Sequence, residues 1–296
     1  MPQKIAVAII HGIGEANPSF GDKNHPNFTS GAARKIKAQF AKLLGEDEEA
    51  AESKLEIEAV YWAPVLQNLE DELDKRLKVK EKLSSFFGLR QFIFHSLADS
   101  VGYQITSATP PADREIYDEV HKCFAQALAK LARNENAGPT APLCIVAHSL
   151  GAVIASNYLW DLQHQSARIP IGNNPLERGE TFALFYTLGS QIPFWSLRHK
   201  SFGTPISVPS SNLAQHYQGL KGEWINFYDR DDLLGYPIQT INEKYAAQVI
   251  DKEVNAGNMA TSWNPLSHNQ YWTDSEVVHL VAQGLVKTWK SVNASS

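Results

Sequence analysis

Apolar residues along the chain follow two rhythms. Ile5 to Ile10 and Leu143 to Ala147 are short continuous apolar runs, which fit strands buried on both faces of a parallel sheet. Leu55 to Trp62 instead alternates Leu, Ile and Val with Glu56 and Glu58, the pattern of a strand nearer a sheet edge. Further strands are predicted over residues 181–188, 224–228 and 247–254. Between them the period changes to helical. Ile36, Phe40, Leu43 and Leu44 mark a helix over 28–44. Leu66, Leu69, Leu73 and Leu77 mark an amphipathic one, braced by pairs such as Glu72 with Arg76. Leu89, Phe92, Ile93, Leu97 and Val101 mark a third, and residues 112–132, 150–163 and 274–290 carry three more. Residues 189–222 show no period and read as a long functional loop.

Buried strands separated by helices specify an α/β fold, a mostly parallel central sheet with helices on both faces. The chain reads as a single domain over 1–296. Within it, residues 64–111 form a helical insertion between strand signals and are a candidate cap over the site. No internal repeat interrupts this plan.

Composition narrows the function classes. With 296 residues, 43% of them hydrophobic and 20% charged, the chain has material for a large core. A formal net charge of −5 is no footprint for nucleic acid, which calls for a clustered basic face. Its two cysteines, Cys123 and Cys144, make no disulfide framework and suit a reducing compartment. No apolar run approaches the roughly 18 residues needed to cross a bilayer, and the N-terminus lacks a signal-peptide pattern. A cytoplasmic protein without integral membrane association is the expectation. No ligand cluster has zinc spacing; His95 and Asp99, at i and i+4, read as a helix surface pair.

The chemistry centres on Ala147-His148-Ser149-Leu150-Gly151. A serine hydroxyl becomes a useful nucleophile on a sharp strand-to-helix turn, which exposes its oxygen and aims the following backbone N–H at a reacting carbonyl. Such a turn needs small residues two positions either side, here Ala147 and Gly151. An apolar strand precedes the segment and a helix with small residues follows it.

With that elbow, the early His11-Gly12-Ile13-Gly14 and a late Asp and His, the chain resembles the α/β-hydrolase superfamily, its lipase and esterase branches in particular. The likeness in order spans nearly the whole chain. It departs from the usual pattern in having Ala147 where the elbow's first glycine stands. The resemblance implies an α/β-hydrolase fold and a Ser-His-Asp hydrolase with Ser149 as nucleophile. It implies an oxyanion hole from the backbone N–H groups of Ile13 and Leu150, with Gly12 and Gly14 allowing close approach. A dinucleotide-binding turn at Gly12 is disfavoured, because Asn17 stands at its third glycine position.

In that superfamily the order is nucleophile, acid, histidine. Five histidines follow Ser149. His164, His199, His216 and His279 lie in helices or in the long loop, and His268 lies just before the last helix, where the family carries its base. Asp229, Asp231 and Asp232 follow the 224–228 strand. Asp232 is preferred because two apolar residues follow it, with Asp229 second. His11 is assigned to holding its loop. The expected reaction is hydrolysis of a small-molecule ester or lipid without cofactor or metal. A thioesterase or amidase using the same triad, and a non-catalytic binding protein on the same scaffold, are the alternatives.

Overall fold

In the computed structural model the described residues are 2–13, 17–77, 102–103, 114–256 and 265–294. Six strands form one sheet: β1 (Ile5–Ile10), β2 (Leu55–Val60), β3 (Leu143–His148), β4 (Phe182–Leu188), β5 (Glu223–Tyr228) and β6 (Ile250–Glu253). The longer helices are α1 (Ala32–Leu44), α2 (Ala63–Leu77), α3 (Glu115–Leu131), α4 (Leu150–Gln163) and α5 (Ser275–Asn293). All five strand pairings are parallel, in the order β2-β1-β3-β4-β5-β6.

Residue alternation divides the core into two layers. Ala6, Ala8 and Ile10 point to the layer built by α3 and α4, through Phe124, Leu128, Ile154 and Tyr158. Ile5, Val7 and Ile9 point to the opposite layer, built by α1 and α5 through Ile36, Phe40, Val281 and Leu285. All six residues of β1 are fully buried, so neither face has room for a polar side chain. The chain leaves β1 first for β2 on one side, then returns to add β3 on the other. That reversal opens a crevice at the carboxyl ends of β1 and β3, where ligands of open α/β sheets bind.

Several element bounds differ from the sequence expectation. The 28–44 helix begins only at Ala32, because Thr29, Ser30 and Gly31 are left-handed (φ 52°, 54° and 81°). Thr29 Oγ1 accepts from the Ala33 N–H instead, at 2.9 Å. The last strand shortens to Ile250–Glu253, since the N–H groups of Ala247, Gln248 and Val249 bond back into the short helix Glu243–Ala246. The 189–222 stretch holds two short α-helices, Ile192–Ser196 and Leu213–His216, and a 3₁₀ turn, Lys200–Phe202. Of the 64–111 insertion, α2 and residues 102–103 are described. The helix expected over 89–101 and the His95–Asp99 pair lie outside the described residues. Among the described residues no helix is long and apolar enough to cross a membrane.

Candidate active site

Ser149 stands between the end of β3 and the start of α4 at φ 55° and ψ −125°, a region L side chains rarely enter. Such strain costs roughly 1–3 kcal/mol and survives only where the surroundings over-determine it. They do so here through two glycines. A β-carbon on Gly12 would collide with Ser149 Cβ, and one on Gly151 would collide with the His11 carbonyl oxygen. The β1 loop therefore lies directly on the elbow. The His11 carbonyl cannot retreat freely, because it accepts from Trp62 Nε1 at 3.0 Å. Gly151→Ala is accordingly expected to destabilise the protein by about 1–3 kcal/mol and to part the two loops. Thermal melts check the first effect and ester turnover the second. An unchanged Tm would show that the loops are not in register.

His268, buried, lies in the 3₁₀ segment Pro265–Thr273 ahead of α5. Its Nδ1–H donates to both carboxylate oxygens of Asp232, at 2.9 and 2.8 Å. Tyr271 O–H donates to Asp232 Oδ2 at 2.8 Å, and the Leu234 N–H to Oδ1 at 2.9 Å. Burial alone would raise the Asp232 pKa, yet these donors, His268 foremost, hold it below its ordinary value. The three aspartates thereby separate. Asp229 is spent on the N–H groups of Asp231 and Ala256, closing its own loop, and Asp231 is exposed. The other candidate histidines are engaged or exposed elsewhere: His164 with the Trp160 carbonyl, His216 with Glu180, His279 with Gln39, and His199 in solvent.

Ser149 Oγ and His268 Nε2 are both buried, and neither has a hydrogen-bond partner among the described residues. They do not hydrogen-bond to each other, a looseness common in unliganded sites. Two links hold their backbones together. His148, next to Ser149, donates Nε2–H to the His268 carbonyl at 2.6 Å. The Ser149 N–H donates to Leu188 O at 2.9 Å, and the following Gly189 faces the imidazole. A β-carbon on Gly189 would stand 2.9 Å from Asp232 Oδ2 and 3.1 Å from His268 Cε1. Gly235 is equally constrained, against Asp232 Oδ2 and the Gly189 backbone.

Leu150 is the first residue of α4, so its N–H has no intrahelical acceptor. Ile13 lies across the crevice, while Gly14 lies outside the described residues. His11 orients the Ile13 amide. Its Nε2 accepts from the Trp62 N–H at 3.2 Å, so Nδ1 carries the proton and donates to Gly12 O at 2.7 Å. In a trans peptide the Ile13 N–H then points opposite to that held carbonyl. His11 holds its loop as the sequence suggests, whereas His148, Gly189, Gly235 and Tyr271 carry no such assignment in the sequence. Tyr271 had one signal, its place three residues beyond His268. Among the described residues no group of three or more side chains has a metal-binding arrangement.

The two buried histidines make the fold acid-sensitive. Burial lowers His11 to about 4, partly offset by its bond to Gly12; burial, then the neighbouring His268, lowers His148 to about 3. Unfolded, both titrate near 6.5. The unfolded chain therefore takes up protons the folded chain refuses. Stability is whole above about pH 6.5 and is lost as pH falls from there toward 4, by about 3 kcal/mol for His11 alone. Asp232, whose pKa is depressed, adds a loss in the same direction at lower pH. Urea melts at about pH 7.5 and about pH 5 read the difference. His11→Gln and His148→Gln are expected to flatten it.

No family model matches the chain, and no curated protein matches it. Among solved structures it is similar to a dienelactone hydrolase from Anabaena variabilis, at 12% identity and a TM-score of 0.40, over 97% of this chain and 86% of the other. It is also similar to the esterase domain of a Rhodothermus marinus protein, at 11% identity and a TM-score of 0.34, over 97% and 87%. Neither neighbour bears on what this chain does. The chain's own strand order, and the strained serine turn at the carboxyl edge of the sheet, make the fold α/β-hydrolase-like.

Proposed function

We propose that the protein is a serine hydrolase of carboxylic esters, with Ser149 as nucleophile, His268 as base and Asp232 as its orienting acid. One observation carries the reading. A hydroxyl is held at a strained bend next to His148, whose ring lies 4.6 Å from that of His268, an imidazole whose Nδ1 is bound to a carboxylate and whose Nε2 has no partner among the described residues. The Asp232 contact fixes the proton on Nδ1 and leaves the Nε2 lone pair as the acceptor.

In the first half-reaction Ser149 Oγ attacks the ester carbonyl as His268 Nε2 takes its proton. Negative charge develops on the carbonyl oxygen, facing the N–H groups of Ile13 and Leu150. The C–O bond breaks, and the leaving alkoxide takes the proton from Nε2. In the second, water gives a proton to Nε2 and attacks the acyl-serine. The acid leaves and Ser149 regains its proton. Asp232 stays ionised throughout and stabilises the transient imidazolium.

Fluorophosphonate labelling tests the assignment. The native protein is expected to be modified at Ser149, and peptide mass mapping locates the adduct. A folded sample that takes up no label would sink the reading and favour a binding protein on the same scaffold. A series of 4-nitrophenyl esters from acetate to palmitate then separates short-chain esterase from lipase behaviour, and matched thioesters and amides separate the leaving groups.

A further inference from the structure

On the sheet face that carries α3 and α4, a cavity of about 430 Å³ opens beside the elbow helix. Its wall runs along α4 from Val153 to Trp160 and crosses to Ile192, Trp195 and Arg198. Val153 stands three residues beyond Leu150, which puts the inner end of the wall about 5 Å along the helix axis from the elbow. Ile192 follows Gly189, the glycine packed on the Asp232–His268 pair, by three residues. The cavity therefore begins about one helical turn beyond the elbow, and none of the proposed catalytic residues lines it.

Its charge is one-sided. Arg198, His199 and Lys200 line one rim, and no carboxylate is among the described lining residues, in a chain of net charge −5. None of these three side chains has an acidic partner among the described residues. The nearby Asp161 is occupied by Tyr117 O–H and Ser166 Oγ, both at 2.9 Å. The Arg198 guanidinium lies over the Trp195 ring, 4.8 Å from its centroid, and Trp160 and Tyr245 add further aromatic surface. The rim itself is strained. Ser201 and Phe202 are left-handed (φ 59° and 62°), and Asn242 Nδ2 holds the carbonyls of Ser201 and Gly203 at 3.2 Å each. Consecutive left-handed residues that the surroundings hold in place are typical of functional loops.

We infer that this cavity is a subsite for an anionic group, carboxylate or phosphate, carried on a planar or apolar body. Aromatic walls take the flat face of such a ligand, and a guanidinium stacked on Trp195 keeps an N–H edge turned to the anion. The role in ester selection rests on the hydrolase reading; anion binding itself does not.

Two measurements on the full chain separate these claims. The first is calorimetric titration of phenyl phosphate, benzoate and neutral benzyl alcohol into the native protein. At least one anion is expected to bind about tenfold more tightly than the alcohol, and more weakly as salt rises from roughly 50 to 500 mM. The tighter of the two anions identifies the preferred group. In Arg198→Gln/Lys200→Gln the anion affinity is expected to fall about tenfold. Anion binding no tighter than that of benzyl alcohol, or insensitive to salt, overturns the inference even if the double variant fails to fold. The second is the ratio of kcat/KM for 4-acetoxybenzoate to that for phenyl acetate, which is expected to exceed one and to drop in the double variant. Anion binding in a folded protein that takes up no fluorophosphonate would leave the subsite standing and sink the hydrolase reading. Labelling at Ser149 without anion binding would do the reverse.

Discussion

Ser149→Ala is expected to lower ester turnover by about 10⁴-fold or more while raising thermal stability. The two effects have one source. Ser149 Oγ is buried with no hydrogen-bond partner among the described residues, so the folded state bears the desolvation of a hydroxyl and gains no bond from them in return. Alanine keeps the β-carbon that packs against Gly12 and removes only the uncompensated oxygen, for a gain of about 1 kcal/mol. Turnover collapses because the donors of Ile13 and Leu150 still polarise a carbonyl but nothing attacks it. Paired melting curves and 4-nitrophenyl acetate kinetics read both quantities. A variant that retains a tenth of native turnover would rule out Ser149 as nucleophile.

Asp232→Asn is expected to cost about 10⁴-fold in kcat, through the tautomer of His268 rather than through loss of shape. Three donors converge on the carboxylate: His268 Nδ1–H, Tyr271 O–H and the Leu234 N–H. An amide offers them one oxygen in place of two. If that oxygen stays on Leu234, the new NH₂ faces the imidazole, and His268 moves its proton to Nε2 in order to accept from it. The atom that should receive the serine proton is then already protonated. Fluorophosphonate labelling is expected to slow in parallel, whereas the melting temperature falls far less than for a cavity mutation. Labelling at the native rate would show that Asp232 orients nothing the chemistry uses.

Much of the fold was legible in the sequence because burial on both faces leaves a plain mark. The apolar runs at Ile5 and Leu143 are strands β1 and β3, the Glu-alternating run at Leu55 is the edge strand β2, and the small-residue helix after Ser149 is α4. Element ends were less legible. Nothing in Phe28, Thr29 and Ser30 as residue types announces two consecutive left-handed residues. The supporting groups of the site were the least visible. Gly189 and Gly235 resemble ordinary loop glycines until the Asp232 and His268 side chains are seen packed against them. His148 resembles a filler of the elbow motif until its Nε2–H is seen on the His268 carbonyl, 120 residues away.

By itself the sequence determined the order of strands and helices, the serine at a strand-to-helix junction, and a short set of histidines and aspartates downstream. Periodicity and turn chemistry are local properties, and local properties survive in a string of letters. The tertiary structure alone showed that Asp232, which the sequence only preferred, meets His268, which way the Ile13 amide is held, and that a cavity rimmed by Arg198 and Lys200, without an acidic partner among the described residues, runs along the helix after the elbow. Each of those depends on the distance between atoms on separate loops. Parallel strand packing sets that distance, and no short-range pattern encodes it.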